Sequence, residues 1–214
     1  MRELKVPEAT VTRVSLYHRT LESLCRRNVT IVSSEDIARV AEVCPSQVRK
    51  DLSYFGEFGT RGLGYDVGAL LNHTRNILGL NRSWAMIMVG AGKLAHALST
   101  YQGFNEGSFN VVAVFDNDLT KTGKKLGHLQ VYALERLPGI VAQYGVVIGV
   151  IAVPAHAAQQ TAELLVENGL LAILNFAPVC LNLPKHIVLR NVDLSTEMEV
   201  LTFNLCHPLE SLPG

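Results

Sequence analysis

The residues best suited to chemistry in this chain are two glycines and an aspartate. In MIMVGAGKLAHAL the apolar run AMIMV is followed by Gly90-Ala91-Gly92-Lys93-Leu94-Ala95 and then by helix-favouring HALST. The first glycine permits a tight turn and the second lets a pyrophosphate approach the backbone. A small third residue, here Ala95, lets the helix pack on a sheet. The helix N-terminus then offers N–H groups and a favourable dipole to phosphate. Asp116 ends the next apolar run, VVAVFD. A carboxylate there can accept from both ribose hydroxyls of NAD while repelling the 2′-phosphate of NADP. Lys93 is either an added charge near the pyrophosphate or a solvated surface lysine. On these residues three readings stay open: an NAD-type dinucleotide site, a coenzyme A site, and a nucleotide-free Rossmann-like domain.

A second constellation lies in SSEDIARVAEVCPSQVRKDL. Ser34 can cap a helix whose Ile37, Ala38 and Ala41 face inward. Val43 plugs a tight turn, and Pro45 suits the first position of a second helix. Val48 and Leu52 then face a core at i, i+4, which leaves Ser46, Gln47, Arg49 and Lys50 outside. A recognition helix presents such residues to the major groove, where Arg reads guanine, Gln reads adenine, and Lys or Ser contacts phosphate. The glycine-rich stretch that follows, with Thr60 and Arg61, suits a wing-like loop along a DNA backbone. Any helical hairpin shares this apolar spacing, and Glu42 stands where many such turns place glycine. Tyr54 and Phe55 are read as packing residues.

The elements that must position these groups fall into two regimes. Residues 1–80 read as helices, with Val11, Val14, Tyr17, Leu21, Leu24 and Cys25 recurring at three- and four-residue steps after Pro7. Residues 84–194 alternate helical stretches with about five apolar runs: WAMIMVG, NVVAVFD, YGVVIGVIAVP, GLLAILNFAP and HIVLRNVDL. That alternation predicts buried parallel strands in βαβ units. The fold class is therefore α/β: an N-terminal winged-helix (helix-turn-helix) domain, a Rossmann-like parallel-sheet domain and a C-terminal helix. The expected boundaries are 1–80 (helix-turn-helix about 17–55, wing about 56–65, linker helix 66–80), 81–194, and 195–214. In DLSTEMEVLTFNLC, Leu194, Met198, Leu201 and Leu205 share one helical stripe, capped by Ser195 or Asp193. It packs either on its own domain or on a partner subunit.

Composition excludes little. Net charge is zero, and residues 1–62 carry ten Lys/Arg against eight Asp/Glu, so placement rather than bulk charge must argue for DNA. No apolar run approaches the ~18–20 residues of a membrane span. The four cysteines, Cys25, Cys44, Cys180 and Cys206, are scattered without metal-ligand spacing. Reduced, inert thiols and a cytoplasmic location are the expectation, with no metal and no membrane. Catalysis lacks its parts: there is no Tyr-x-x-x-Lys pair, and His96, His128, His156 and His186 are isolated. The alternative is a small NAD-dependent oxidoreductase with an N-terminal dimerisation domain.

The chain resembles the Rex family of redox-sensing transcriptional repressors. The resemblance rests on VPEATVTRVSLYHRTLE, QVRKDLSYFGEFGTRGLGY, VGAGKLA, VFDND, VPAHAAQ, LAILNFAP and NVDL, in the family's order along nearly the whole chain. It implies a homodimer that binds palindromic operator DNA, senses NADH and NAD+ rather than reacting with them, and leaves the operator when NADH binds. It also implies a C-terminal helix exchanged between subunits. Carried over by residue, the phosphate loop is Gly90 to Ala95 and the ribose carboxylate is Asp116. Val153, Pro154, Asn175 and Phe176 are implied on the nicotinamide side, with Tyr101 near the nicotinamide. Arg19 and Asp193 are implied to couple the DNA-binding and cofactor halves. The family's loop commonly ends in glycine, so Ala95 is a departure that touches helix–sheet packing more than phosphate contact.

Overall fold

The computed structural model describes residues 6–59, 62–101, 103 and 107–207. The chain divides into two compact units, Met1–Arg82 and Ser83–Gly214.

In the first unit α1 (Glu8–Arg26), α2 (Ser34–Val40), α3 (Pro45–Ser53) and α4 (Val67–Ile77) surround one apolar core. Val14, Tyr17 and Leu21 of α1 supply it at the predicted helical steps, with Ile37, Ala38, Val48 and Leu52 from α2 and α3. Val11 and Cys25 lie outside it. Two short strands, β1 (Ile31–Val32) and β2 (Tyr65–Asp66), pair antiparallel beside this core. The glycine-rich loop between α3 and β2 returns close to β1. At Gly64, with φ of +91°, a Cβ would sit 2.6 Å from the carbonyl oxygen of Val32. That glycine closes the base of the wing; it does not reach outward toward phosphates. Phe55 and Phe58 pack on the core, and Phe58 lies ring to ring with His73 at 4.9 Å.

The helix-turn-helix forms as expected, with two local differences. Ser33, not Ser34, caps α2: its side chain accepts the N–H of Asp36. Ser34 is buried in the first turn instead. Glu42 takes the left-handed conformation, φ +54°, that glycine usually supplies at this turn.

The second unit is a seven-stranded sheet. Its strands are β3 (Trp84–Val89), β4 (Phe109–Phe115), β5 (Lys125–Leu126), β6 (Leu129–Tyr132), β7 (Ile148–Ile151), β8 (Ala172–Asn175) and β9 (Val188–Asn191). The order is β5-β6-β4-β3-β7-β8-β9, parallel except for the β5–β6 hairpin. Without β5 this is the doubly wound 3-2-1-4-5-6 order of dinucleotide-binding sheets. Strand alternation fills both faces. Met86 and Met88 join the cluster under α5 (Lys93–Ser99), while Ile87 and Val89 join that of α6 (Leu137–Tyr144) and α7 (Ala155–Glu167). The hairpin and β6 were not among the five expected strands. A last helix, α8 (Leu194–Cys206), is capped by Asp193, whose carboxylate accepts the N–H of Ser195. None of its residues is buried.

Candidate functional site

Strands β3 and β7 are neighbours whose onward connections run to opposite sides of the sheet, so their C-terminal ends flank a crevice. Gly90 follows β3 with φ of +104°, and a Cβ on it would lie 2.5 Å from the carbonyl oxygen of Ala152. The loops after β3 and β7 therefore touch, and only glycine fits between them. Gly92 differs: a Cβ there would meet no protein atom within 4 Å. It precedes α5, which no side chain caps. Ala95 is fully buried against the sheet, as its place in the loop requires. The loop thus closes the sheet with Gly90 and faces open space with Gly92. That space belongs to a cavity of about 1020 Å³, at the upper end of the usual range for small-molecule sites. A cradle of backbone amides that a side chain would obstruct fits a pyrophosphate.

At one side of the cavity lies Asp116, only 6% exposed. Its Oδ2 accepts the Ala91 N–H at 2.7 Å and the Lys121 ammonium at 3.0 Å, while Oδ1 accepts the Asp118 N–H at 2.8 Å. Burial pushes this carboxyl up, but these donors outweigh it and hold it below its ordinary value, so it is ionised. A buried, oriented carboxylate at the end of the second strand is the acceptor that a ribose diol needs.

Of the expected cofactor residues, Gly90, Gly92, Lys93, Leu94, Asp116, Val153 and Pro154 line this cavity. Ala91 contributes through its N–H to Asp116. Asn175, implied on the nicotinamide side, has its side-chain amide engaged within the protein. It is fully buried, donates to the Ala177 and Val179 carbonyls and to Asn191 Oδ1, and accepts the Ala177 N–H. It shapes the end of β8 and leaves no amide for a ligand. Phe176 packs on the cluster under α5, and Tyr101, 52% exposed, is not on the cavity wall. Among the wall residues that were not singled out from sequence as binding groups are Lys121, and His156 in the first turn of α7.

In the first unit the recognition helix is locked from beneath by a residue that sequence reading passed over. Asp51 is completely buried. Arg13 grips it with Nε at 2.6 Å and Nη2 at 2.7 Å, Tyr17 donates its hydroxyl at 2.8 Å, and Thr10 donates at 3.1 Å. Gln47 donates its amide at 2.8 Å, so that side chain is drawn back toward Asp51 and not presented as a free reader of adenine. Burial pushes the Asp51 carboxyl up, yet Arg13, Tyr17, Gln47 and Thr10 together hold it below its ordinary value. The same network raises the Tyr17 hydroxyl, through burial first and Asp51 second. Arg49 is exposed but not loose: Nη1 donates to the Ser34 hydroxyl at 2.7 Å and lies 3.6 Å from Glu35. Lys50 and Ser46 are exposed on the same helix. Arg61 lies outside the described residues. The Cys44 thiol, exposed before α3, is held below its ordinary value by the Ser46 hydroxyl and the Gln47 N–H.

A helix-turn-helix unit joined to a doubly wound dinucleotide-type unit defines a class: DNA-binding regulators with a nucleotide-sized sensing site. Comparison with known proteins narrows it. A family model described as "Putative DNA-binding protein N-terminus" matches residues 5–53, and one described as "CoA binding domain" matches residues 81–179. The redox-sensing transcriptional repressor Rex of Pelotomaculum thermopropionicum is 59% identical over 205 residues, covering 96% of each chain. That of Streptomyces coelicolor is 45% identical, covering 95% of this chain and 79% of the relative. Among solved structures, the Rex-type repressor RSP in complex with β-NAD+ and operator DNA matches with a TM-score of 0.88 at 36% identity, covering 94% of this chain and 93% of that one. RSP in complex with β-NADH matches at 0.85 and 34%, covering 95% of each chain. This chain belongs to the Rex family of redox-sensing transcriptional repressors. It is accordingly a regulator and not an enzyme.

Proposed function

We propose that this protein represses transcription in the cytoplasm as a homodimer on a palindromic operator and leaves it when NADH binds. The observation that carries the reading is one chain holding both a locked recognition helix and a phosphate loop at a sheet switch point. Support for the dimer comes from α8, where Leu194, Met198, Leu201, Phe203 and Leu205 are all at least half exposed. Helix exchange between subunits would bury them.

In this reading Gly90 to Ala95 hold the pyrophosphate, and Asp116 holds the adenosine ribose. Val153 and Pro154 border the far end of the site, with Tyr101 and Phe176 nearby. The nicotinamide supplies only its redox state as a signal. Arg49, Lys50 and Ser46 meet the operator, with Gln47 held in place by Asp51 and Arg61 following from the wing. Arg19 and Asp193 link the two functions, and the domain limits are 1–80, 81–194 and 195–214. The dimer in its operator-competent form sets its recognition helices about 34 Å apart, one DNA turn. A ligand shifts such an equilibrium only through its differential affinity, so NADH must favour the incompetent arrangement.

The test is a gel shift on a palindromic operator with NADH, NAD+ and coenzyme A in turn. Release by NADH and retention with NAD+ support the reading. Release by coenzyme A alone would favour a coenzyme A sensor, the second reading that the match over residues 81–179 keeps in view.

A further inference from the structure

Asp116 is a crowded acceptor. A carboxylate offers roughly four lone-pair positions, and the Ala91 N–H, the Asp118 N–H and the Lys121 ammonium occupy three of them. A ribose diol that bonds through both hydroxyls needs two. The two backbone donors are fixed, Ala91 by the loop after β3 and Asp118 by the turn after β4, whereas Lys121 reaches in on a side chain that is 41% exposed. It has a second carboxylate within reach: its Nζ lies 3.8 Å from Oδ2 of Asp118. Asp118 is itself held, with Oδ1 accepting both the N–H and the hydroxyl of Thr120.

We infer that Lys121 is a specificity determinant of the ribose pocket. Its ammonium competes with the ribose diol for Asp116, and it gives a 2′-phosphate a positive charge to approach. This inference rests on the reading of Asp116 as the ribose carboxylate, and it adds a consequence. Asp116 alone would exclude 2′-phosphorylated dinucleotides by repulsion. With a cation 3.0 Å from that carboxylate, much of the repulsion is offset, because opposite charges at such distances retain appreciable attraction even near a surface. Moving Lys121 from Asp116 to Asp118 frees the position that the diol takes, and no backbone change is needed. The site therefore distinguishes NADH from NADPH less sharply than its carboxylate would by itself.

The experiment compares wild type with Lys121→Met, which keeps the aliphatic stem and removes the charge, and with Lys121→Arg, which keeps the charge. NADH and NADPH are each titrated by nicotinamide fluorescence. Lys121→Met is expected to bind NADH about threefold more tightly, by removal of an exposed competitor, and NADPH about tenfold more weakly. Lys121→Arg keeps the wild-type ratio. An unchanged ratio in Lys121→Met, or equal loss of both ligands, would overturn the inference while leaving the NADH site in place. If wild type binds neither dinucleotide, the reading of the site fails and takes this one with it.

Discussion

Two buried aspartates, one in each unit, do opposite work. Asp51 is saturated: Thr10, Arg13, Tyr17 and Gln47 donate to it from two helices, and no solvent reaches it. Asp116 has three donors of its own and borders a cavity of about 1020 Å³. The first carboxylate is closed and fixes α3 against α1. The second keeps acceptor capacity and faces open space. Burial and a depressed proton affinity are common to both, so neither property alone marks a binding site. Spare acceptor capacity beside a cavity does.

The contrast can be broken most forcefully at Asp51. Asp51→Ala strands the Arg13 guanidinium and the Tyr17 hydroxyl, at a cost of about 3 kcal/mol to the first unit. Chemical denaturation followed by circular dichroism should show an early helical transition, with NADH binding retained. The pH dependence has the matching sign. A carboxyl held below its ordinary value of 3.8 stabilises the fold above that pH, and the stabilisation is lost as acid protonates it in the folded state. Wild type should therefore lose helical stability on acidification more steeply than Asp51→Asn does.

At Asp116 the expected loss is in binding rather than folding. Asp116→Ala should weaken NADH about 10–100-fold, since hydrogen bonds to a charged acceptor are among the stronger ones. It should also relax the preference over NADPH. Thermal stability that fell as far as in Asp51→Ala would erase the distinction drawn between the two residues. A smaller effect is expected at Lys50, which is exposed on α3. Lys50→Ala should weaken operator binding by about 1 kcal/mol and lower the salt slope by about one ion, with NADH affinity unchanged. The smallest concerns the turn before the recognition helix. Glu42→Gly relieves a left-handed residue but gains unfolded-state entropy, for a net stabilisation of about 0.5 kcal/mol, read as a raised melting temperature.

Much of this was legible because local pattern and chemistry coincide. The glycine spacing of the phosphate loop, its place between strand and helix, and the aspartate one strand later do not depend on distant contacts. The same holds for Val48 and Leu52 on α3. Asp51 sits between them at i+3 from Val48, a core position, and Thr10 and Arg13 flank Val14 on α1 beside Tyr17. A charged residue at a core spacing was the available signal, and it went unused. Asn175 could not be resolved that way: its amide is consumed in part by Asn191, sixteen residues on and one strand over. Lys121 lies in a turn with no periodicity, so only the folded loop brings it to Asp116. Strand β6 was missed because LQVY has just four residues and follows its partner after a two-residue turn.

The central claim is that NADH and operator DNA oppose each other on one molecule, and coupling between two ligands must be reciprocal. The most direct measurement is the affinity for NADH with and without saturating operator. The account predicts that operator weakens NADH binding by the same factor by which NADH weakens operator binding. NADH affinity unaltered by operator, on protein that binds both, would contradict it.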